Sequence, residues 1–98
     1  MTSKQRAGLR GLANTMDPVF QIGKGGINEN LIAQVDDCLE KRELIKITLL
    51  QSCELATREA CGLLAGAVGA EPVQCIGRRF VLYRASKDKP RLDLSVWA

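Results

Sequence analysis

The residues with the clearest chemical content are Gly23-Lys24-Gly25-Gly26. They follow a short apolar run, residues 19–22, and precede Asn28, a residue type that caps helices. Glycines let a main chain approach a ligand without a Cβ in the way. The first N–H groups of a helix lack intrahelical acceptors and sit at the positive end of its dipole. A phosphate suits that combination, and Lys24 would add a charge-assisted contact. Two common phosphate motifs do not fit. A Walker A loop, G-x-x-x-x-G-K-[ST], needs Ser or Thr after Lys24, where Gly25 stands. A dinucleotide fingerprint, G-x-G-x-x-G, needs glycine at the position of Asn28. What remains is a G-x-x-G loop of the kind that clamps nucleic-acid backbone in KH domains. There the loop joins two helices, whereas here a strand precedes it, so the likeness is to the loop mechanism and not to the KH fold. Considered alone, the same residues read equally well as a tight helix-entry turn capped by Asn28.

Other chemistries find little support. Four cysteines, Cys38, Cys53, Cys61 and Cys75, show no C-x-x-C spacing, and the chain has no histidine. That argues against a zinc site and excludes Ser-His-Asp and Cys-His catalysis. No paired-carboxylate constellation stands out for acid–base work. The expectation is no metal, no cofactor and no catalytic group, with reduced, buried thiols in a cytoplasmic protein. The first sixteen residues hold no apolar signal segment. The most apolar run, residues 62–70, is broken by glycine and far below the ~20 residues that span a bilayer.

Charge is unevenly distributed. The net charge of +3 is modest, but residues 1–24 carry Lys4, Arg6, Arg10 and Lys24 against Asp17 alone. Residues 78–91 carry Arg78, Arg79, Arg84, Lys87, Lys89 and Arg91 against Asp88, while residues 25–77 hold eight acids against four bases. If the two basic ends meet, they form the footprint of a polyanion partner. Basic side chains that merely keep the protein soluble account for the composition equally well.

The 98 residues suffice for one domain with one core. A first helix over residues 4–14, capped by Ser3, would bury Leu9, Leu12, Ala13 and Met16 and turn Arg6 and Arg10 outward. A strand at 19–22 leads into the glycine loop. A second helix from Asn28 to about residue 41 would bury Leu31, Ile32, Val35, Cys38 and Leu39, leaving Asp36, Asp37, Glu40 and Glu43 solvated. A strand at 44–50 alternates Ile45, Ile47 and Leu49 with Lys46 and Thr48. A third helix, from a cap near Ser52 to Gly69, would bury Ala56, Ala60, Leu63, Leu64 and Ala67. Strands at 73–76 and 80–84 flank a Gly77-Arg78 hairpin turn. The order α-β-α-β-α-β-β implies an α/β fold, a two-layer sandwich with a mixed four-stranded sheet. Residues 1–86 form the domain, and residues 87–98 read as a mobile basic and apolar tail.

These blocks together resemble the CRM domain family (chloroplast RNA splicing and ribosome maturation), in its stand-alone bacterial YhbY form. The resemblance covers roughly residues 2–87. It rests on Lys4-Gln5-Arg6 with residues 9–13, on Pro18-Val19 leading to Ile22-Gly23-Lys24-Gly25-Gly26, on Glu43-Leu44-Ile45-Lys46-Ile47, and on residues 77–84. It implies a core similar to the C-terminal domain of translation initiation factor three, and binding to RNA, in bacteria to precursors of the large ribosomal subunit. Gly23, Lys24, Gly25 and Gly26, with Lys4, Arg6 and Arg10 beside them, are the RNA surface that the resemblance implies.

The expected mechanism is recognition of RNA backbone. Main-chain amides of residues 25–28, Asn28 included, would bind a phosphate, and Arg6, Arg10, Lys24, Arg78 and Arg79 would surround it with positive charge. Phe20, Phe80, Tyr83 and Trp97 are too few for base stacking to dominate. The rival reading is a protein-interaction module that joins ribosomal precursors through a ribosomal protein, using the acidic second helix or the apolar residues of the tail.

Overall fold

The structure, a computed structural model, describes residues 1–97. Its elements are α1 (Ser3–Ala13), β1 (Phe20–Ile22), α2 (Glu29–Arg42), β2 (Leu44–Leu49), α3 (Thr57–Val68), β3 (Glu71–Ile76), β4 (Arg79–Tyr83) and a closing 3-10 turn, Leu94–Trp97. The sheet order is β1-β2-β4-β3; β1 runs parallel to β2, and the other two pairings are antiparallel. The α/β class and the mixed four-stranded sheet are those expected from the sequence. Helices, however, occupy both faces. On one side α2 and α3 pack over Ile22, Ile45, Ile47, Leu49, Phe80 and Leu82. On the other, Leu9 and Ala13 of α1 pack over Leu44, Val73, Val81 and Tyr83. The expected two layers thus gain a partial third. The strand period of two accounts for both clusters, because consecutive residues of β2 and β4 alternate between them.

Helix boundaries follow local hydrogen bonding. α1 is capped by Thr2, not Ser3: Thr2 Oγ1 accepts the Gln5 N–H at 3.1 Å and Gln5 Oε1 accepts the Thr2 N–H at 2.9 Å, a reciprocal capping box. α3 starts at Thr57 with Ala56 as its cap, four residues later than a cap at Ser52 would place it. The Cys53 N–H donates to Leu50 O at 3.0 Å, and that tight turn drops Cys53 into the core before a helix can begin. Its buried face is Ala60, Cys61, Leu64, Ala65 and Val68, while Leu63, Ala56 and Ala67 are exposed. This helix is apolar on most sides, so its pattern leaves the rotational phase open. Leu12 is likewise exposed, because only the Leu9–Ala13 line of α1 meets the sheet.

The acidic face of α2 is the largest departure from the expected picture. Glu43, expected in solvent, is fully buried. Its Oε2 accepts the Ser86 N–H at 2.9 Å, and its Oε1 accepts those of Arg91 and Leu92 at 2.6 and 2.9 Å. Glu40 accepts the Ser86 hydroxyl and the Lys87 N–H. Asp36 pairs with Arg84, whose guanidinium also donates to Val68 O at 2.8 Å and Asp36 O at 2.9 Å. Of the four carboxylates only Asp37 is exposed without such a partner among the described residues. The chain beyond β4, expected as a separate mobile tail from residue 87, lies as a strap over the α1 face. Leu92, Leu94 and Trp97 pack there, and Gln5 Nε2 donates to Leu94 O at 3.2 Å.

Two outcomes test this packing. A Cβ on Gly8 would overlap the Trp97 indole, whereas one on Gly11 meets open space. Gly8→Ala should therefore shift the emission of the single tryptophan to the red, while Gly11→Ala leaves it unchanged and stabilises the helix by up to about 1 kcal/mol. Burial raises the Glu43 pKa, but the N–H groups of Ser86, Arg91 and Leu92 and the Arg91 charge outweigh it, so the pKa lies below its ordinary 4.5. A depressed carboxylate pKa contributes stability that is present above 4.5 and lost as pH falls through the folded-state value. Urea denaturation from pH 7 down to pH 3 should show that loss in the wild type and a flatter profile in Glu43→Gln. Glu43→Gln should also be less stable at pH 7, by about 1–3 kcal/mol, because a Gln amide cannot accept from all three donors.

Candidate nucleic-acid interface

The strand pairings decide where the glycine loop lies. Ile22 pairs with Leu49 in the parallel β1–β2 ladder, so the chain leaves both strands at the same end of the sheet. Arg79 starts β4 opposite Thr48, which brings the Gly77-Arg78 turn to that end as well. The N-termini of α2 and α3 complete the cluster. Thr57 Oγ1, in the first turn of α3, donates to Gly77 O at 2.8 Å. The Arg78 guanidinium donates to Leu49 O at 3.1 Å and to Leu50 O, and the Leu50 N–H reaches Ile22 O at 2.9 Å. Gly23 is stacked beside Leu50 and Ser52, whose side chains a Cβ would meet at 3.5 and 3.4 Å. Arg78 therefore serves the scaffold while its charge stays exposed beside the loop.

Within the loop, the Gly26 N–H closes a four-residue turn on Gly23 O at 3.0 Å, and Gly26 adopts φ 64°. That positive φ makes Gly26 the residue whose backbone requires glycine. It also engages the Gly26 amide, one of those expected to meet a phosphate. The N–H groups of Lys24, Gly25, Asn28, Glu29 and Asn30 have no acceptor among the described hydrogen bonds. Asn28 caps α2 through Oδ1, which accepts the Leu31 N–H at 2.9 Å, so its side chain is occupied and its backbone amide is free. Lys24 and Gly25 are exposed at the tip. Glu29, in the first turn of α2, is the acidic group at this mouth. The arrangement is a set of free amides at a helix N-terminus, with Lys24 and Arg78 at the same end of the sheet, and it suits an anion.

The remaining basic residues are less close. Arg6 of α1 pairs with Glu71 at 3.6 Å, at the start of β3. Glu71 is five residues from Ile76, the end of β3 that meets the hairpin, a separation of about 17 Å at ~3.3 Å per residue. Lys4 and Arg6 thus belong to the far end of the molecule, with Arg10 one turn nearer the middle. Arg79 is exposed on the α1 side of the sheet. The two basic ends of the chain do come together, where the strap meets α1, but Arg84 and Arg91 are engaged internally; Arg91 donates to Lys41 O at 2.6 Å.

A row of side chains, of which the sequence reading singled out only Arg79 as a binding residue, crosses the open part of the α1 face. Gln21, Thr48, Arg79 and Ile76 lie side by side on the four strands, followed by Lys46 and Gln74 flanking Val81. The alternation of β2 put Lys46 and Thr48 on the outward side; which neighbours they would meet required the register.

Comparison with known proteins places the fold in a family. The profile of the CRS1 / YhbY (CRM) domain family matches residues 1–84. YqeI of Bacillus subtilis, named a probable RNA-binding protein, is 42% identical over 94 residues, covering 96% of this chain and 98% of that protein. A Haemophilus influenzae protein named RNA-binding protein is 35% identical over 92 residues, covering 90% of this chain and 89% of its own. A Staphylococcus aureus protein solved in solution and described as a candidate RNA binder superposes with a TM-score of 0.78 at 49% identity, over 95% of this chain and 97% of that one. With the family profile matching residues 1–84 and relatives aligning over most of its length, the chain belongs to the CRS1/YhbY (CRM) domain family.

Proposed function

We propose that this protein is an RNA-binding module acting in the cytoplasm on the RNA of the large ribosomal subunit or its precursor. The glycine loop grips the RNA backbone. A phosphate sits against the free amides of Gly25 and of residues 28–30, with Lys24 and Arg78 supplying charge. The observation that carries this reading is the convergence of the loop, the N-terminus of α2 and the Arg78 hairpin at one end of the sheet. Relatives that align over most of this chain are named RNA-binding proteins, which supports RNA as the polyanion. Lys4, Arg6, Arg10 and Arg79 extend the positive field over a longer RNA. At the separation of Arg6 from the hairpin end, screening over ~8 Å at physiological salt leaves little direct effect on a phosphate in the loop. Metals and cofactors have no part in this mechanism. The rival reading, docking to a ribosomal protein through the acidic second helix or the tail, meets the difficulty that Leu92, Leu94 and Trp97 pack against the chain's own core and that Asp36, Glu40 and Glu43 are engaged within the chain.

The deciding experiment measures binding to large-subunit ribosomal RNA fragments at two salt concentrations, after circular dichroism has shown that each variant folds. Lys24→Asp combined with Gly25→Asp, at positions where neither side chain is crowded, should weaken binding at least tenfold and flatten the log–log salt slope by about 1. Arg6→Ala with Arg10→Ala should weaken binding to long fragments and leave short oligonucleotides almost unaffected. Equal binding by wild type and the loop variant removes the clamp and leaves the protein-docking reading in its place.

A further inference from the structure

The open part of the α1 face contains a hollow of about 140 Å³ lined by Asn14, Lys46, Gln74, Ile76, Arg79, Phe80 and Val81. Three of its properties point to a ligand. Lys46 is only 9% exposed, yet it appears in no ion pair or side-chain hydrogen bond among the described residues. Its stem is enclosed while its ammonium still reaches solvent, so the charge is presented to the hollow with no protein acceptor taking it. Second, Arg79 lines the same space, and no carboxylate does. Third, Ile76 stands at the rim 64% exposed, an apolar side chain beside polar groups that face inward.

The size and position of the hollow narrow the ligand class. It is well below the ~300 Å³ at which pockets engulf a whole small molecule, so it suits one group presented by a larger chain. It also lies on the path from the loop. Arg79 is two strands across from Gln21, about 10 Å at ~4.8 Å per strand, and Gln21 is two residues before Gly23. A strand clamped by its backbone at the loop and laid across the sheet reaches the hollow with its next bases.

We propose that this hollow is a subsite for an unpaired guanine of single-stranded RNA, held beside the backbone clamp proposed above, on which it rests. Unstacked RNA bases are recognised by hydrogen bonds to their edges. Lys46 and Arg79 offer donors only, and guanine presents two neighbouring acceptors, O6 and N7, to such a pair. Adenine sets its N6 amino donor beside N7 and uracil an N3–H between its carbonyls, and the adjacent N3 and O2 of cytosine adjoin an amino group for which the hollow offers no carboxylate. Gln74 and Asn14 supply amides at the edges, and Ile76 covers one face of the base. The loop binds any RNA backbone; the hollow adds a base preference to it.

The test uses two oligonucleotides at one salt concentration, nonauridylate and the same nonamer with a central guanosine. Wild type should bind the guanosine oligomer about five- to tenfold more tightly. Lys46→Met, which keeps an unbranched apolar stem, should abolish the preference while retaining affinity for nonauridylate within about twofold. Gln74→Ala, at a half-buried position of the edge strand β3, gives a second reading should Lys46→Met fail to fold, and it should reduce the preference. Amide chemical shifts of Lys46, Gln74 and Arg79 should respond to the guanosine oligomer and not to nonauridylate. Equal affinity of wild type for both oligomers, with binding lost in the Lys24→Asp, Gly25→Asp variant, overturns the subsite and leaves the clamp. Failure of wild type to bind either oligomer or any ribosomal RNA fragment overturns both.

Discussion

The buried carboxylate of Glu43 gathers more main-chain donors of the strap than any other described group. It stands where α2 turns into β2, with its N–H on Leu39 O at 2.8 Å and its carbonyl accepting the Arg84 N–H at 2.9 Å. Its φ of 65° is the one positive value found among the described non-glycine residues, a conformation that costs on the order of 1–3 kcal/mol. Glycine would relieve that strain at a helix end, but glycine has no carboxylate. Three main-chain donors from residues 86–92 converge on this one, and the strap they hold covers the outer side of the sheet beside α1. A buried charge is tolerable when its acceptor sites are filled in this way.

Internal anchoring also sorts the basic residues. Arg84 joins α2 to the end of α3, Arg91 closes on the end of α2, and Arg78 holds the end of β2. Charges so engaged are fixed in place. Lys24 at the loop tip and Lys46 and Arg79 on the open face have no acidic partner among the described ion pairs. The unpaired positive charge thus lies at one end and on one face, while Asp36, Glu40 and Glu43 of the α2 region are engaged by Arg84 and the strap and Glu29 and Asp37 stay exposed. The modest net charge of +3 understates this, since what a phosphate feels depends on the charges within a screening length.

The glycine loop derives its exposure from the sheet. Because β1 and β2 are parallel, the connection after each must leave from the same end, and the antiparallel β3–β4 hairpin adds its turn there. In open α/β sheets such ends collect helix N-termini and loops, and ligands gather where they do. Here the N-termini of α2 and α3 both point to this end, and what sets α2 apart is the glycine loop that leads into it.

Much of this was determined by the sequence alone. The alternation in residues 44–49, the glycines at 23, 25 and 26, Asn28 as a cap and the Gly77-Arg78 turn carry local signals, because propensity, period and capping act over a few residues. The blocks that mark the CRM family are continuous stretches and were equally legible. The burial of Glu43, the rotational phase of α3, the pairing of Asp36 with Arg84 and the enclosure of Lys46 were decided only in three dimensions. Each depends on residues more than thirty positions away, or on which side of an apolar helix finds the sheet first. A carboxylate on a polar helix face reads as solvated until the far end of the chain returns to it, and a strand lysine reads as outward until register and α1 wall it in. Local pattern thus wrote the elements and the glycine loop, and long-range packing decided which charges are engaged within the fold and which stay free.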